Sequence, residues 1–249
     1  MPVRNLTQWT RLIFGLAAVF ALFHGAARAL GSDRGQAGLI VGAIVLSATL
    51  AVERIAFGQR IGPAIRSLGL GRPQSVGLVA AILICGALLL MIPVYAGITD
   101  ASVALLPGFV SLIPGLFAQA GIAEEVLFRG YLFGRLRRGR TFWQAARLSM
   151  LPFVGVHLLL FFTMPWPIAL AALLLSVLMS FPLAQLFELG GGTVWPPALL
   201  HFVVQGTVKV LVVSGDAAWV FPLAWMAASA VIPMFVFLLP QRAPSTQRS

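Results

Sequence analysis

Three features of the 249-residue chain predict an all-α, polytopic membrane protein. Apolar residues make up 59% of it, and its mean hydropathy is +0.96. Only 10% of residues are charged, against roughly 25% in an ordinary soluble domain. Apolar runs long enough for bilayer-crossing helices, which need about 20 residues each, recur along the whole chain. Together these exclude a water-soluble enzyme, a disordered chain and a nucleic-acid binder. The expectation is a single membrane domain over residues 1–249, with about eight transmembrane helices bundled around an intramembrane polar cavity.

Gly, Pro and Arg clusters divide the apolar runs into eight candidate spans. They are Leu12–Leu30, Ala37–Val52, Val76–Val94, Leu105–Phe133, Leu148–Phe162, Pro167–Phe187, Pro196–Val213 and Ala217–Leu239. The first reads either as a retained helix or, with Arg4, Arg11 and the Ala27-Arg28-Ala29 sequence, as a cleaved secretory signal. The fourth holds Pro107 and Pro114, so its first part reads as a separate short helix or a kink. The fifth is short and reads as starting near Phe142. Residues 53–74, with Gly and Arg throughout, read as a cytoplasmic loop lying along the headgroups, and 241–249 as a short flexible tail.

Charge orients these spans. Lys and Arg number 17 and Asp and Glu 7, a formal net charge of +10. The basic residues do not form a nucleic-acid patch but cluster in alternate connections: Arg54, Arg60, Arg66 and Arg72 after span two, and Arg135, Arg137, Arg138, Arg140 and Arg147 after span four. The connections near Tyr95–Ala104, Thr163–Trp166 and Ser214–Asp216 carry none, and only Arg28 and Arg34, close to Asp33, dissent. Positive charge marks the cytoplasmic side, so both termini are expected there; the near-exclusive use of Arg over Lys points to a prokaryotic source, and so to an integral multi-pass protein of a bacterial inner membrane. The single cysteine, Cys85, excludes a disulfide framework and a multi-cysteine metal site and reads as a small buried hydrophobe.

Ionisable groups within spans are informative because each is unfavourable by about 2.5–3.5 kcal/mol on insertion scales. Asp33, Glu53, Asp100, Glu188 and Asp216 fall at span ends or in loops, which leaves the adjacent Glu124 and Glu125 in the fourth span. His24, His157, His201, Arg129 and Lys209 complete the set. Residues four apart share a helix face, so Glu125 can pair with Arg129 while Glu124 points about 100° away. Glu124 is then free to face a cavity, where desolvation and a like-charged neighbour suit it to act as a general base. His201 opens the seventh span after Pro196-Pro197, with Gln205 one turn later on the same face. At about 1.5 Å per residue, Glu124, His157 and His201 can meet between the bilayer centre and the cytoplasmic surface. His24 reads as a packing residue, and Lys209 as a chain reaching for the far headgroups.

At these residues the sequence resembles the CAAX protease and bacteriocin-processing (CPBP, or Abi) family of intramembrane endopeptidases. The family pattern is Glu-Glu-x-x-x-Arg, Phe-x-x-x-His and His-x-x-x-Asn/Asp on three helices. Here the pattern stands as Glu124-Glu125 to Arg129, Phe153 to His157, and His201 to Gln205. The resemblance implies an eight-span protease whose active site opens to the cytosol. Glu124 would activate the hydrolytic water, Glu125 and Arg129 would support the site, and His157 and His201 would position water or metal. Gln205 stands at the amide position that faces the oxyanion. It is one methylene longer than the family's Asn, which displaces the donor unless the helix adjusts.

No His-Glu-x-x-His zinc motif and no Gly-x-Ser-x-Gly elbow compete, and the three Asp lie outside span centres. Glu124, His157 and His201 could hold a divalent metal such as Zn²⁺ with an open position for water; the same residues could act without one. The expected partners are the bilayer and a membrane peptide or protein substrate, lipidated or not. Two rivals stay open: a non-catalytic relative acting as a scaffold or immunity protein, and a small transporter using Glu124 and the histidines as a proton relay.

Overall fold

The computed structural model describes residues 5–31 and 35–239. The expected tail at 241–249, together with Arg4, Asp33, Arg34, Arg242 and Arg248, lies outside the described residues. The fold is all-α and polytopic, with one two-stranded ribbon.

Helix α1 (Leu6–Ala29) starts at a reciprocal cap: Asn5 accepts from the Gln8 amide at 2.9 Å while the Gln8 side chain accepts from the Asn5 amide. Its buried stripe includes Leu12, Leu16, Val19 and Phe23, the helical spacing of one packed face, and α1 packs on α2 (Gln36–Phe57). Backbone meets backbone where α2 crosses the long helix Phe109–Arg137, since a Cβ at Gly38 would overlap Gly115.

The 53–74 segment departs from expectation. It is partly helical rather than an open loop: α2 runs on to Phe57, α3 occupies Ile61–Ser67, and Leu68 is fully buried. The Leu68 carbonyl sits where a Cβ at Gly130 would lie, so only glycine permits this approach. Val194 donates its amide to Gly69 O at 2.9 Å, and Trp195 Nε1 donates to Gly71 O at 2.8 Å. Ala64 and Leu68, buried inside an arginine-bearing stretch, were masked by the composition around them.

Helix α4 (Ser75–Thr99) buries Cys85 among Ala81, Ile84 and Leu88, as a small hydrophobe. Strand β1 (Ser102–Leu105) pairs antiparallel with β2 (Leu211–Ser214), from Ser102 opposite Ser214 to Leu105 opposite Leu211. This ribbon corrects two boundaries: the fourth span begins as helix only at Phe109, and the seventh ends at Val210 rather than Val213. A short apolar run cannot be assigned to helix or strand by periodicity, and Val212 and Val213 are β-branched.

Helix α5 (Phe109–Arg137) is not uniform. Wide, π-type turns occupy Phe117–Ala123 and Val126–Phe133, and Glu124 and Glu125 lie between them. Such turns are rare and concentrate at functional positions. Helix α6 (Phe142–Phe162) begins behind a Thr141–Gln144 reciprocal cap and tightens into a 3₁₀ turn after His157. Helices α7 (Trp166–Leu189), α8 (Trp195–Val210) and α9 (Ala218–Leu238) complete the bundle.

Among the described residues, 7 helices are long and apolar enough to cross a membrane. The seventh expected span, α8, falls short: it has 16 residues, about 24 Å of helix against about 30 Å of hydrocarbon. Two apolar clusters flank it. One gathers Leu12, Val45, Leu127, Phe128 and Phe153 and reaches Ala198 of α8; the other gathers Leu88, Leu183 and Trp225 with Leu200, Val203 and Val204 of α8. The polar residues of α8 therefore sit on the seam between the two cores. At the arginine-rich end, Arg135 pairs with the buried Glu53 and Arg137 with Glu188.

Candidate active site

Glu125 lies at the centre of the polar cluster. It is fully buried and bound from two sides: Arg129 Nη1 donates to Oε1 at 3.0 Å, and His201 Nδ1 donates to the same oxygen at 2.6 Å. The i,i+4 spacing gives the first contact; the second needs α8 against α5, where Gly121 packs 3.0 Å from the Ala198 carbonyl when extended by a Cβ. Arg129 is buried too, its guanidinium 4.2 Å over the Phe153 ring. A cation over an aromatic face is attracted by the ring quadrupole, so Phe153 is a floor for the ion pair. Its role was legible only as a motif position.

Glu124 turns the other way, into a cavity of about 510 Å³ that His157, His201 and Gln205 also line. Its Oε2 is 3.6 Å from His201 Nε2, and Gln205 Nε2 donates to its Oε1 at 3.4 Å. The two carboxylates thus face different surroundings, one locked between a guanidinium and an imidazole N–H and one beside open space. His157 Nδ1 is 2.7 Å from the Phe153 carbonyl. A carbonyl only accepts, so Nδ1 carries the proton and the lone pair sits on Nε2. The Phe153 ring bridges the histidines, with centroids 4.9 Å from His157 and 6.0 Å from His201.

One residue departs from expectation, and His24 packs as expected. Lys209 does not extend toward headgroups: its Nζ donates to Gln205 Oε1 at 3.2 Å and it lines the cavity. Side chains on a helix lean toward its N-terminus, which carries Lys209 back onto Gln205. His24 stacks on Phe20, with ring centroids 6.0 Å apart, on the cavity wall.

The cavity has a direction. Its lining comes from the second half of α1 (Phe20, His24), the last turns of α6 (Thr163 beyond them), the first half of α7 and the start of α9 (Pro222). All of these lie in the half of the bundle away from Arg60, Arg72 and Arg135–Arg140.

A metal fits this arrangement poorly. Among the described residues, no three of His, Cys, Asp and Glu are grouped to hold one ion. His201 Nε2, which such a site would need, lies 2.8 Å from Gln205 Nε2.

No curated protein matches the chain. Over residues 106–207, the segment that carries all three motifs and the contacts of Glu125, the chain matches the model of the Rce1-like family, described as type II CAAX prenyl endopeptidase Rce1-like.

Proposed function

We propose that this protein is an intramembrane endopeptidase that hydrolyses a peptide bond of a membrane-associated substrate, with Glu124 as the base. The family match supports a CAAX-type membrane protease in general. The observation that carries the finer reading is the asymmetry of the carboxylate pair: Glu125 is bound by Arg129 and His201, while Glu124 faces the cavity beside His157, His201 and Gln205.

In this reading a water between Glu124 and His157 Nε2 gives a proton to Glu124 as its oxygen attacks the scissile carbonyl. Gln205 keeps one N–H on His201 Nε2 and turns the other from Glu124 toward the developing oxyanion. One such donor contributes about 3 kcal/mol to the transition state. Glu124 then returns its proton to the leaving amine as the C–N bond breaks, and a carboxylic acid and an amine result, which ionise to carboxylate and ammonium on release. Glu125, Arg129 and Phe153 hold His201 in place without touching substrate.

Access belongs to the proposal as well. The resemblance implies entry from the cytosol, and the arginine distribution supports cytoplasmic termini in a bacterial inner membrane. The cavity's position favours a second reading, entry from the arginine-poor half or from the lipid beside it.

The test is cleavage of a membrane-peptide library by the reconstituted protein. Glu124→Gln is expected to abolish turnover, and His157→Ala to reduce it by about a hundredfold or more. Turnover that survives Glu124→Gln rejects the mechanism. Wild type inert toward every substrate favours a scaffold, and proton flux in sealed vesicles favours a transporter. Loss of activity on chelator titration, restored by Zn²⁺, would return the metal to the site.

A further inference from the structure

We propose that Lys209 is a positioning residue for this reaction: through Gln205 it fixes which nitrogen of His201 carries the proton. The inference rests on the proposed function for its kinetic consequences, though not for its structural ones. Lys209 lies beyond the segment matched to the family, residues 106–207, and belongs to none of the three motifs.

Hydrogen-bond polarity runs one way along one face of α8. His201, Gln205 and Lys209 stand at i, i+4 and i+8, one above another. An ammonium has donors only, so the Gln205 atom facing Lys209 Nζ at 3.2 Å must be the carbonyl oxygen. The amide is planar, so its NH₂ then points the opposite way, toward His201 Nε2 at 2.8 Å and Glu124 Oε1 at 3.4 Å. An amide NH₂ cannot accept, so His201 Nε2 must present its lone pair. The proton is thereby placed on Nδ1, where it donates to Glu125 Oε1 at 2.6 Å. At the far end Arg129, again donors only, holds that same oxygen at 3.0 Å. A cation closes each end of the chain from Lys209 through Gln205, His201 and Glu125 to Arg129, and no member can reverse alone.

This gives the glutamine a physical reason. A glutamine amide has one more rotatable bond than an asparagine amide, so it needs an anchor to keep its N–H groups on the site. Lys209, one turn further on, supplies it. Without that anchor the amide can turn over and present its oxygen to His201 Nε2. The imidazole then moves its proton to Nε2, gives up its bond to Glu125, and the donor beside Glu124 is lost.

The test uses the full-length protein in lipid nanodiscs and compares wild type, Lys209→Met, Lys209→Arg, Gln205→Asn and the Lys209→Met/Gln205→Asn pair. Misplacing a reacting group costs rate on the scale of about a hundredfold, so Lys209→Met is expected to lower kcat by about tenfold to a hundredfold with KM unchanged. Lys209→Arg is expected to recover most of that loss. In the Gln205→Asn background, Lys209→Met should lower kcat far less, because the shorter amide does not rely on it. Independently of turnover, ¹⁵N-histidine spectra assigned with His24→Gln and His157→Gln should show His201 protonated at Nδ1 in wild type. That signature should shift toward Nε2 protonation in Lys209→Met and return in Lys209→Arg. A rise in KM with kcat intact would make Lys209 a substrate anchor and overturn the proposal. So would equal losses in both backgrounds, or a His201 tautomer indifferent to Lys209→Met. If wild type cleaves nothing, the proposed function fails while the spectra still decide the role of Lys209.

Discussion

Glu124 and Glu125 are chemically identical and adjacent, and everything that separates them is contact. Glu125 is enclosed by Arg129, His201 and the Phe153 floor; Glu124 looks into open space. Breaking a buried ion pair from one side strands the other charge, at about 3–5 kcal/mol. Arg129→Met is therefore expected to lower unfolding stability in detergent by about that amount, whereas Glu124→Gln should stay near wild type in the same measurement while losing turnover. Equal destabilisation by the two would mean that both carboxylates are structural. The pairing of Glu125 with Arg129 was legible from their spacing. The bond from His201 to Glu125 was not, because two residues 76 positions apart share no local signal.

At the scale of elements, the part of the fold hardest to read was the 58–74 connection. Its arginines announce a surface loop, yet Leu68 and the carbonyls of Leu68, Gly69 and Gly71 brace α5 at Gly130 and the turn before α8. Those are the elements that bring Glu125 and His201 together. Leu68→Ala should destabilise by about 2–5 kcal/mol, as for other fully buried leucines. Gly130→Ala, which inserts a methyl against a backbone carbonyl, should destabilise by about 1–3 kcal/mol. Thermal unfolding in detergent reads both, and a Leu68→Ala protein as stable as wild type would restore the headgroup loop. The helix start near Phe142 was legible because Thr141 and Gln144 form a local cap; the β1–β2 ribbon was not, since pairing depends on a partner strand more than a hundred residues away.

Across the whole molecule, Arg60, Arg72 and Arg135–Arg140 sit at helix ends opposite those that carry much of the cavity lining, while Arg28 stands beside the lining residue Ala27. Cys85 is buried, so introduced cysteines can be labelled against a low background. With arginine on the cytoplasmic side, Thr163→Cys in intact cells should react with a membrane-impermeant maleimide, and Arg60→Cys only after permeabilisation. The reverse pattern would give the cavity to the cytosol.

Hydropathy and charge spacing, which are local sums, determined by themselves that the chain is helical, where its spans lie within a few residues, and which polar groups are anomalous. Tertiary structure alone decided that α8 is a short helix on the seam of two cores, that Lys209 turns inward, and that Glu124 rather than Glu125 faces the cavity. The physical reason is that a burial pattern is written along one helix. A hydrogen bond's direction and a cavity's opening depend on atoms contributed by several.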